Sequence, residues 1–63
     1  MNKVPRFVQE YANFQKRTLD NYDLMRPEIK QAGIDQIDGA VKALKRGLIT
    51  IDEAMNLIMN WHN

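Results

Sequence analysis

The stretch "LKRGLITIDEAMNLIMNW", residues 44–61, contains the turn that decides the fold. Gly47 can adopt the left-handed conformation that ends a helix, and Leu48 follows as the apolar residue that closes such a cap. Thr50 and Glu53 form a capping box, in which each side chain accepts a hydrogen bond from the backbone N–H of the other residue. The stretch therefore predicts two helices joined by a tight turn.

A second helical segment precedes this turn. Pro27 suits the first position of a helix, because a proline there loses no hydrogen bond. Apolar residues then recur on one face up to Leu44, which predicts helix 2 over about residues 27–46. Gly33 weakens a helix interior, so a break there, with Asp35 capping a shorter helix, stays open as an alternative.

The N-terminal segment predicts helix 1 over about residues 5–24. Pro5 can open this helix, and Pro27 disfavours helical conformation just before it, which ends helix 1 near Leu24. The apolar positions follow three- and four-residue steps and cover an arc of roughly 140° at about 100° per residue. We expect them to face the core, and they are Phe7, Val8, Tyr11, Phe14, Thr18, Leu19 and Tyr22.

With helix 3 over about residues 51–61, the predicted fold is a small all-α, three-helix domain that spans residues 1–63 and has a tight hairpin between helices 2 and 3. A chain of 63 residues is marginally stable alone, because it buries only about 60% of its unfolded surface. Disulfides are excluded by the absence of Cys, and His62 is the only His, placed near the end of the chain. We therefore expect no metal and no cofactor, and a second subunit or a partner as the source of added stability.

Composition disfavours several classes of function. Nine Lys and Arg against eight Asp and Glu give a net charge of +1, whereas a nucleic-acid-binding domain is usually more basic. Without Cys or Ser, and with one His, no nucleophile–base pair can be assigned, so we expect no enzyme and no catalytic residue. No apolar run suits a membrane span or a signal peptide, so we expect a cytoplasmic protein without a membrane partner.

Nucleic-acid binding by an oligomer is the alternative function. Ala43 and Gly47 match the turn of a helix-turn-helix, but Asp52 and Glu53 stand where the recognition helix would meet phosphates. Basic and aromatic residues alternate in helix 1, as on a base-stacking surface. Because these aromatic residues share one helical face and the charges lie off it, we expect them in the core.

Helix 3 carries more apolar surface than one packing face needs. Its apolar directions span roughly 200°, about twice the usual stripe. We expect Ile51, Ala54 and Ile58 to reach the core, which leaves an excess at both edges, although a central helix covered on both sides would also account for the arc. Trp supplies a large contact area and Met an adaptable one. The residues that we predict to form an interface are Met55, Leu57, Ile58, Met59 and Trp61.

Residues 44–54 resemble the short helical hairpins called SHOCT domains, whose pattern runs Leu, Gly, Ile-Thr and then Glu with an aromatic residue. The matching residues are Leu44, Gly47, Ile49, Thr50 and Glu53. Ala54 stands where the aromatic residue is expected, and most matching positions are also turn and capping residues. The resemblance implies a small interaction or oligomerisation hairpin.

Together these observations predict a small non-enzymatic protein-interaction module or regulator. We expect it to form a homo-oligomer, such as a dimer, and to bind a larger protein. The expected contact is apolar docking through helix 3 and part of helix 1, which should depend little on salt, in contrast to nucleic-acid binding.

Overall fold

The computed structural model describes residues 4–61, so His62 lies outside the described residues. Within this range the chain forms three helices, α1 (Arg6–Asp20), α2 (Pro27–Lys45) and α3 (Ile51–Met59). Each helix packs against the other two, which confirms the predicted all-α three-helix domain. The Cα atoms extend over 39 × 17 × 16 Å. None of these helices is long and apolar enough to span a membrane.

The turn between α2 and α3 begins with the predicted helix end. Gly47 has a φ of 74°, and its N–H donates to the Leu44 carbonyl at 3.0 Å. The Leu48 N–H donates to the Ala43 carbonyl at 2.9 Å, which completes a Schellman motif. The Leu48 side chain differs from the expectation, because it is 71% exposed. Backbone hydrogen bonds, and not an apolar closure, therefore stabilise this helix end.

The capping box is also confirmed. The Thr50 Oγ1 accepts from the Glu53 N–H at 3.1 Å, and the Glu53 Oε1 accepts from the Thr50 N–H at 3.0 Å. Ile49, just before the cap, packs against the core. α3 ends at Met59, earlier than predicted, because Asn60 leaves the helical region with φ −101° and ψ 28°.

α1 ends at Asp20, before the predicted end near Leu24. The Tyr22 N–H donates to the Leu19 carbonyl at 3.1 Å, a three-residue hydrogen bond that tightens the last turn. Asn21 favours turns over helix interiors, because its side chain competes for backbone hydrogen bonds. The helix therefore ends at this local sequence, and Pro27 only opens the next helix.

α2 runs without a break from Pro27 to Lys45, so the alternative break at Gly33 is wrong. A Cβ at Gly33 would lie 2.7 Å from the Leu19 Cδ1 and 3.4 Å from the Trp61 Cε3. The missing side chain lets both residues approach α2 closely, which explains why a glycine occupies the interior of this helix.

The core consists of small and medium-sized side chains. Its buried apolar residues are Val8, Ala12, Leu19, Ile37, Ala40, Leu44, Ala54 and Ile58. None of them is aromatic. The expectation that the aromatic residues of helix 1 fill the core is wrong for Phe7 and Phe14, each 57% exposed, and for Tyr22, which is 48% exposed.

The core face of α3 is close to the expectation. Ala54 and Ile58 are fully buried, as predicted. Ile51, in contrast, is 41% exposed, because it opens the helix at the end of the bundle. α3 contacts both α1 and α2, so part of its wide apolar arc is covered within the chain.

Gly47→Ala tests the helix end. Alanine in the left-handed conformation costs about 1–2 kcal/mol, so we expect the free energy of unfolding to fall by about that amount. Urea unfolding followed by circular dichroism measures it. Gly39→Ala is the matched control, because a Cβ at Gly39 would meet nothing within 4 Å and should add about 0.5–1 kcal/mol of stability. Equal shifts for the two variants would contradict this assignment of the turn.

Candidate interaction surface

One edge of α3 faces α2. The Gln36 Nε2 of α2 donates to the Leu57 carbonyl at 2.7 Å. Trp61 lies just beyond α3 and close to Gly33 of α2. The Leu57–Trp61 edge is therefore turned towards α2, although the Leu57 side chain remains 41% exposed.

Trp61 contacts α1, α2 and the turn between them. Its Nε1–H donates to the Gln15 Oε1 of α1 at 2.8 Å. Its ring lies 6.1 Å from the Tyr22 ring, centroid to centroid, at a tilt of 59°. Gly33 leaves the space in which the indole packs. The indole is half-buried and bonded within the chain, so it supports the fold.

An open groove adjoins Trp61 on the side of α2, with a volume of about 400 Å³. It is mostly apolar, and its lining includes Met25, Ile29 and Ala32 together with the polar residues Glu28 and Gln36. Half of the Ile29 side chain, 52%, is exposed. The groove is open to solvent, and none of the described residues that line it is a buried polar residue that could orient a small ligand.

The opposite edge of α3 carries Met55 and Met59. Helical periodicity places both on the side of the helix away from Leu57, and therefore away from α2. Met55 is half-buried against the core, whereas Met59 is 47% exposed. Methionine side chains are flexible and polarizable, so this edge can adapt to a partner's surface.

α1 is oriented by an ion pair with α2. The Lys16 Nζ lies 2.9 Å from the Asp38 Oδ1, so the Lys16 edge of α1 faces α2. Phe7, Tyr11 and Phe14 lie on the opposite edge, because they are separated from Lys16 by about half a turn at about 100° per residue. In a bundle of three helices, the edges of α1 and α3 that both point away from α2 lie side by side.

Because α1 and α3 pack against each other, these two edges adjoin, and we call them together the α1–α3 surface. It consists of Phe7, Tyr11, Phe14, Met55 and Met59. Tyr11 and Met55 line its inner side, where they pack against the core. An exposed aromatic and methionine surface of this kind is typical of a protein contact.

The five residues predicted to form an interface divide between surface and interior. Ile58 is fully buried and contributes packing. Met55 and Trp61 are half-buried, while Leu57 and Met59 are 41% and 47% exposed. The surface role of these last four residues stays a prediction, and the structure adds Phe7 and Phe14 of α1 as exposed apolar residues.

The spacing along α1 could have revealed the two phenylalanines. Val8, Ala12 and Leu19 form a second stripe at helical spacing, and a small residue such as Ala12 marks a close helix contact. An apolar arc of roughly 140° exceeds the stripe of about 100° that one core face needs. The wide apolar arc of α1, like that of α3, thus indicates apolar side chains that the core does not fully cover.

Charges beside the α1–α3 surface are balanced and solvated. Arg6 and Glu10 form an ion pair at 3.0 Å, with side chains that are 91% and 64% exposed. Among residues 4–61, no three His, Cys, Asp or Glu residues are grouped closely enough to hold a metal ion. The chemistry that the arrangement offers is therefore apolar contact with a charged border.

The fold and this surface define a small three-helix bundle with an exposed aromatic and methionine face. No protein-family model matches the chain, and no curated protein or solved structure matches it. The resemblance of residues 44–54 to SHOCT domains therefore assigns no family.

Trp61→Ala tests the structural role of the indole. Truncation of a large buried aromatic residue costs about 3–5 kcal/mol, and we expect about half of that for this half-buried ring. Trp61→Phe keeps most of the packing and loses the bond to Gln15, so it should cost about 1 kcal/mol. Urea unfolding by circular dichroism measures both. Unchanged stability in Trp61→Ala would show that the indole is not part of the fold's support.

Proposed function

We propose that this chain is a small non-enzymatic interaction module, a regulator that self-associates and docks on a larger protein in the cytoplasm through the α1–α3 surface. One observation carries the proposal. The buried core holds alanine and aliphatic residues, while Phe7 and Phe14 are each 57% exposed. The largest apolar side chains of α1 are thus available for contact with another chain.

Free energy favours covering this surface. Moving a phenylalanine side chain fully out of water contributes about 1.5–3 kcal/mol. Three of the buried core residues are alanines, Ala12, Ala40 and Ala54. The core therefore buries little apolar surface, and the stability of the single chain is small. A partner on the α1–α3 surface would add apolar burial on the scale of the stability of the whole domain.

The other edge of α3 is less suited to docking. The Leu57 carbonyl and the Trp61 indole are bonded within the chain. Met59 lies on the opposite edge, which helical periodicity places on the side of α1, so a contact there can extend over two helices. We therefore place the docking surface at the methionine edge of α3.

Nucleic-acid binding gains one supporting observation. Exposed Phe7 and Phe14 could stack with bases, and Arg6 and Arg17 are exposed on the same helix. Arg6, however, is paired with Glu10, and the net charge of the chain is only +1. A protein partner fits this surface better.

Phe14→Gln tests the proposal. We expect the wild-type molar mass, measured by light scattering over a concentration series, to rise from the monomer value of 7.4 kDa towards a multiple of it. Loss of the exposed ring should weaken this association at least about tenfold, since about 1.4 kcal/mol of burial corresponds to that factor. Met59→Gln should act in the same direction.

Leu24→Gln is the matched control, because Leu24 is 100% exposed and lies in the turn after α1. Its association should equal that of the wild type. A wild-type chain that stays monomeric would contradict self-association. Binding to an oligonucleotide that falls steeply with added salt would instead support the nucleic-acid alternative.

A further inference from the structure

The stripe of α1 that contains the exposed Phe7 and Phe14 has the spacing of a helix-pairing seam. Phe7, Tyr11, Phe14 and Thr18 follow one another at steps of four, three and four residues, which is the seven-residue repeat of paired helices. The buried stripe of Val8, Ala12 and Leu19 lies beside it and serves the chain's own core. α1 therefore carries two seams. The core seam is fully buried, and the seam that contains Phe7 and Phe14 is only partly covered within the chain, through Tyr11 and Thr18.

We propose that α1 of a second copy of this chain covers this seam, paired antiparallel about a two-fold axis. This inference rests on the self-association in the proposed function. Two observations support this occupant: the seam matches itself when reversed, and the charges at its border match as well.

The apolar residues of the seam are complementary to themselves. When Tyr11 is placed against Phe14 of an antiparallel second copy, Phe7 falls against Thr18, because both pairs share the same midpoint along the helix. Each layer then combines one phenylalanine with one residue that carries a hydroxyl group. The Thr18 hydroxyl already donates to the Phe14 carbonyl at 3.0 Å, so its burial leaves no unpaired donor.

The charged border selects the antiparallel direction. Glu10 directly precedes Tyr11, and Arg17 directly precedes Thr18. Paired helices place at such positions the charges that set partner and orientation. The midpoint between Glu10 and Arg17 along the helix nearly coincides with the midpoint that the Tyr11–Phe14 and Phe7–Thr18 pairs share. In the antiparallel pair, Glu10 therefore lies across from Arg17 of the second copy, and the same contact occurs twice.

A parallel pair offers no such match. It would place Glu10 near Gln15 of the second copy, which is uncharged, and Arg17 near a residue beyond the end of α1. Charge complementarity thus favours the antiparallel arrangement.

Both charges are available for this contact. Glu10 is bonded to Arg6 only in an exposed pair, and such pairs are worth about 0–1 kcal/mol and exchange easily. Arg17 makes no ion pair with any residue between 4 and 61. Arg17 lies in the last turn of α1, where a positive charge suits the helix dipole. Its guanidinium group is therefore available to a carboxylate of a second copy.

Charge reversal tests the pairing at low ionic strength, where surface charges are least screened. Glu10→Arg makes the border all basic, and Arg17→Glu makes it all acidic. We expect each variant alone to dimerise about tenfold more weakly, because two attractive contacts become repulsive. The double variant E10R/R17E, and an equimolar mixture of the two single variants, should restore dimerisation. Sedimentation equilibrium measures all of these dissociation constants.

Matched controls separate the border from general effects of charge. Glu10→Arg removes the exposed contact of Glu10 with Arg6, four residues earlier on α1. Asp35→Arg matches it, because it removes the exposed contact of Asp35 with Gln31, four residues earlier on α2. Lys42→Glu reverses an exposed charge on α2. Both controls should dimerise like the wild type, and circular dichroism should show every variant folded.

The outcomes are distinguishable. A wild type that associates while both reversals leave its dissociation constant unchanged would overturn the antiparallel seam and leave the proposed function standing. Single reversals that weaken dimerisation without recovery in the mixture would overturn it as well. A wild type that remains monomeric would overturn both the seam and the self-association that it rests on.

Discussion

The close approach of three helices through small residues is the constraint on which the rest of the structure depends. Ala12 of α1, Gly33 and Ala40 of α2 and Ala54 of α3 are all buried. Helix axes come nearest where the side chains at the contact are smallest. A bundle drawn together in this way has no room for rings in its centre, so its aromatic residues lie at the ends or on the outside.

Polar contacts at the margin of the core then decide which helix edges remain open. Lys16 bonds to Asp38, and Gln36 bonds to the Leu57 carbonyl. Each contact turns one edge of α1 or of α3 towards α2. The remaining edges of the two helices come together on the side away from α2, where no part of the described chain covers them completely. The open α1–α3 surface is thus a consequence of how α1 and α3 both pack against α2.

Local sequence predicts the fold where short-range hydrogen bonds decide it. Gly47, Thr50 and Glu53 act within a few residues, and Pro27 opens a helix by its own geometry, so the turn and the helix order could be predicted. Burial could not be predicted equally well. Phe7 and Val8 are adjacent apolar residues, and their separation into surface and core depends on where α2 and α3 lie. Trp61 likewise meets Gln15 only in the folded chain.

The tight turn at Gly47 also bears on the order in which the chain folds. The connection between α2 and α3, residues 46–50, is fixed by local hydrogen bonds at the Gly47 helix end and in the Thr50–Glu53 capping box. The connection between α1 and α2, residues 21–26, has a similar length, but α2 begins without a side-chain cap. Contacts close in sequence form quickly, and the hairpin of α2 and α3 is therefore expected to assemble before α1 docks. α1 would then be the last helix to dock during folding and the first to detach during unfolding. Its amide hydrogens should accordingly exchange with solvent sooner than those at the centre of α2.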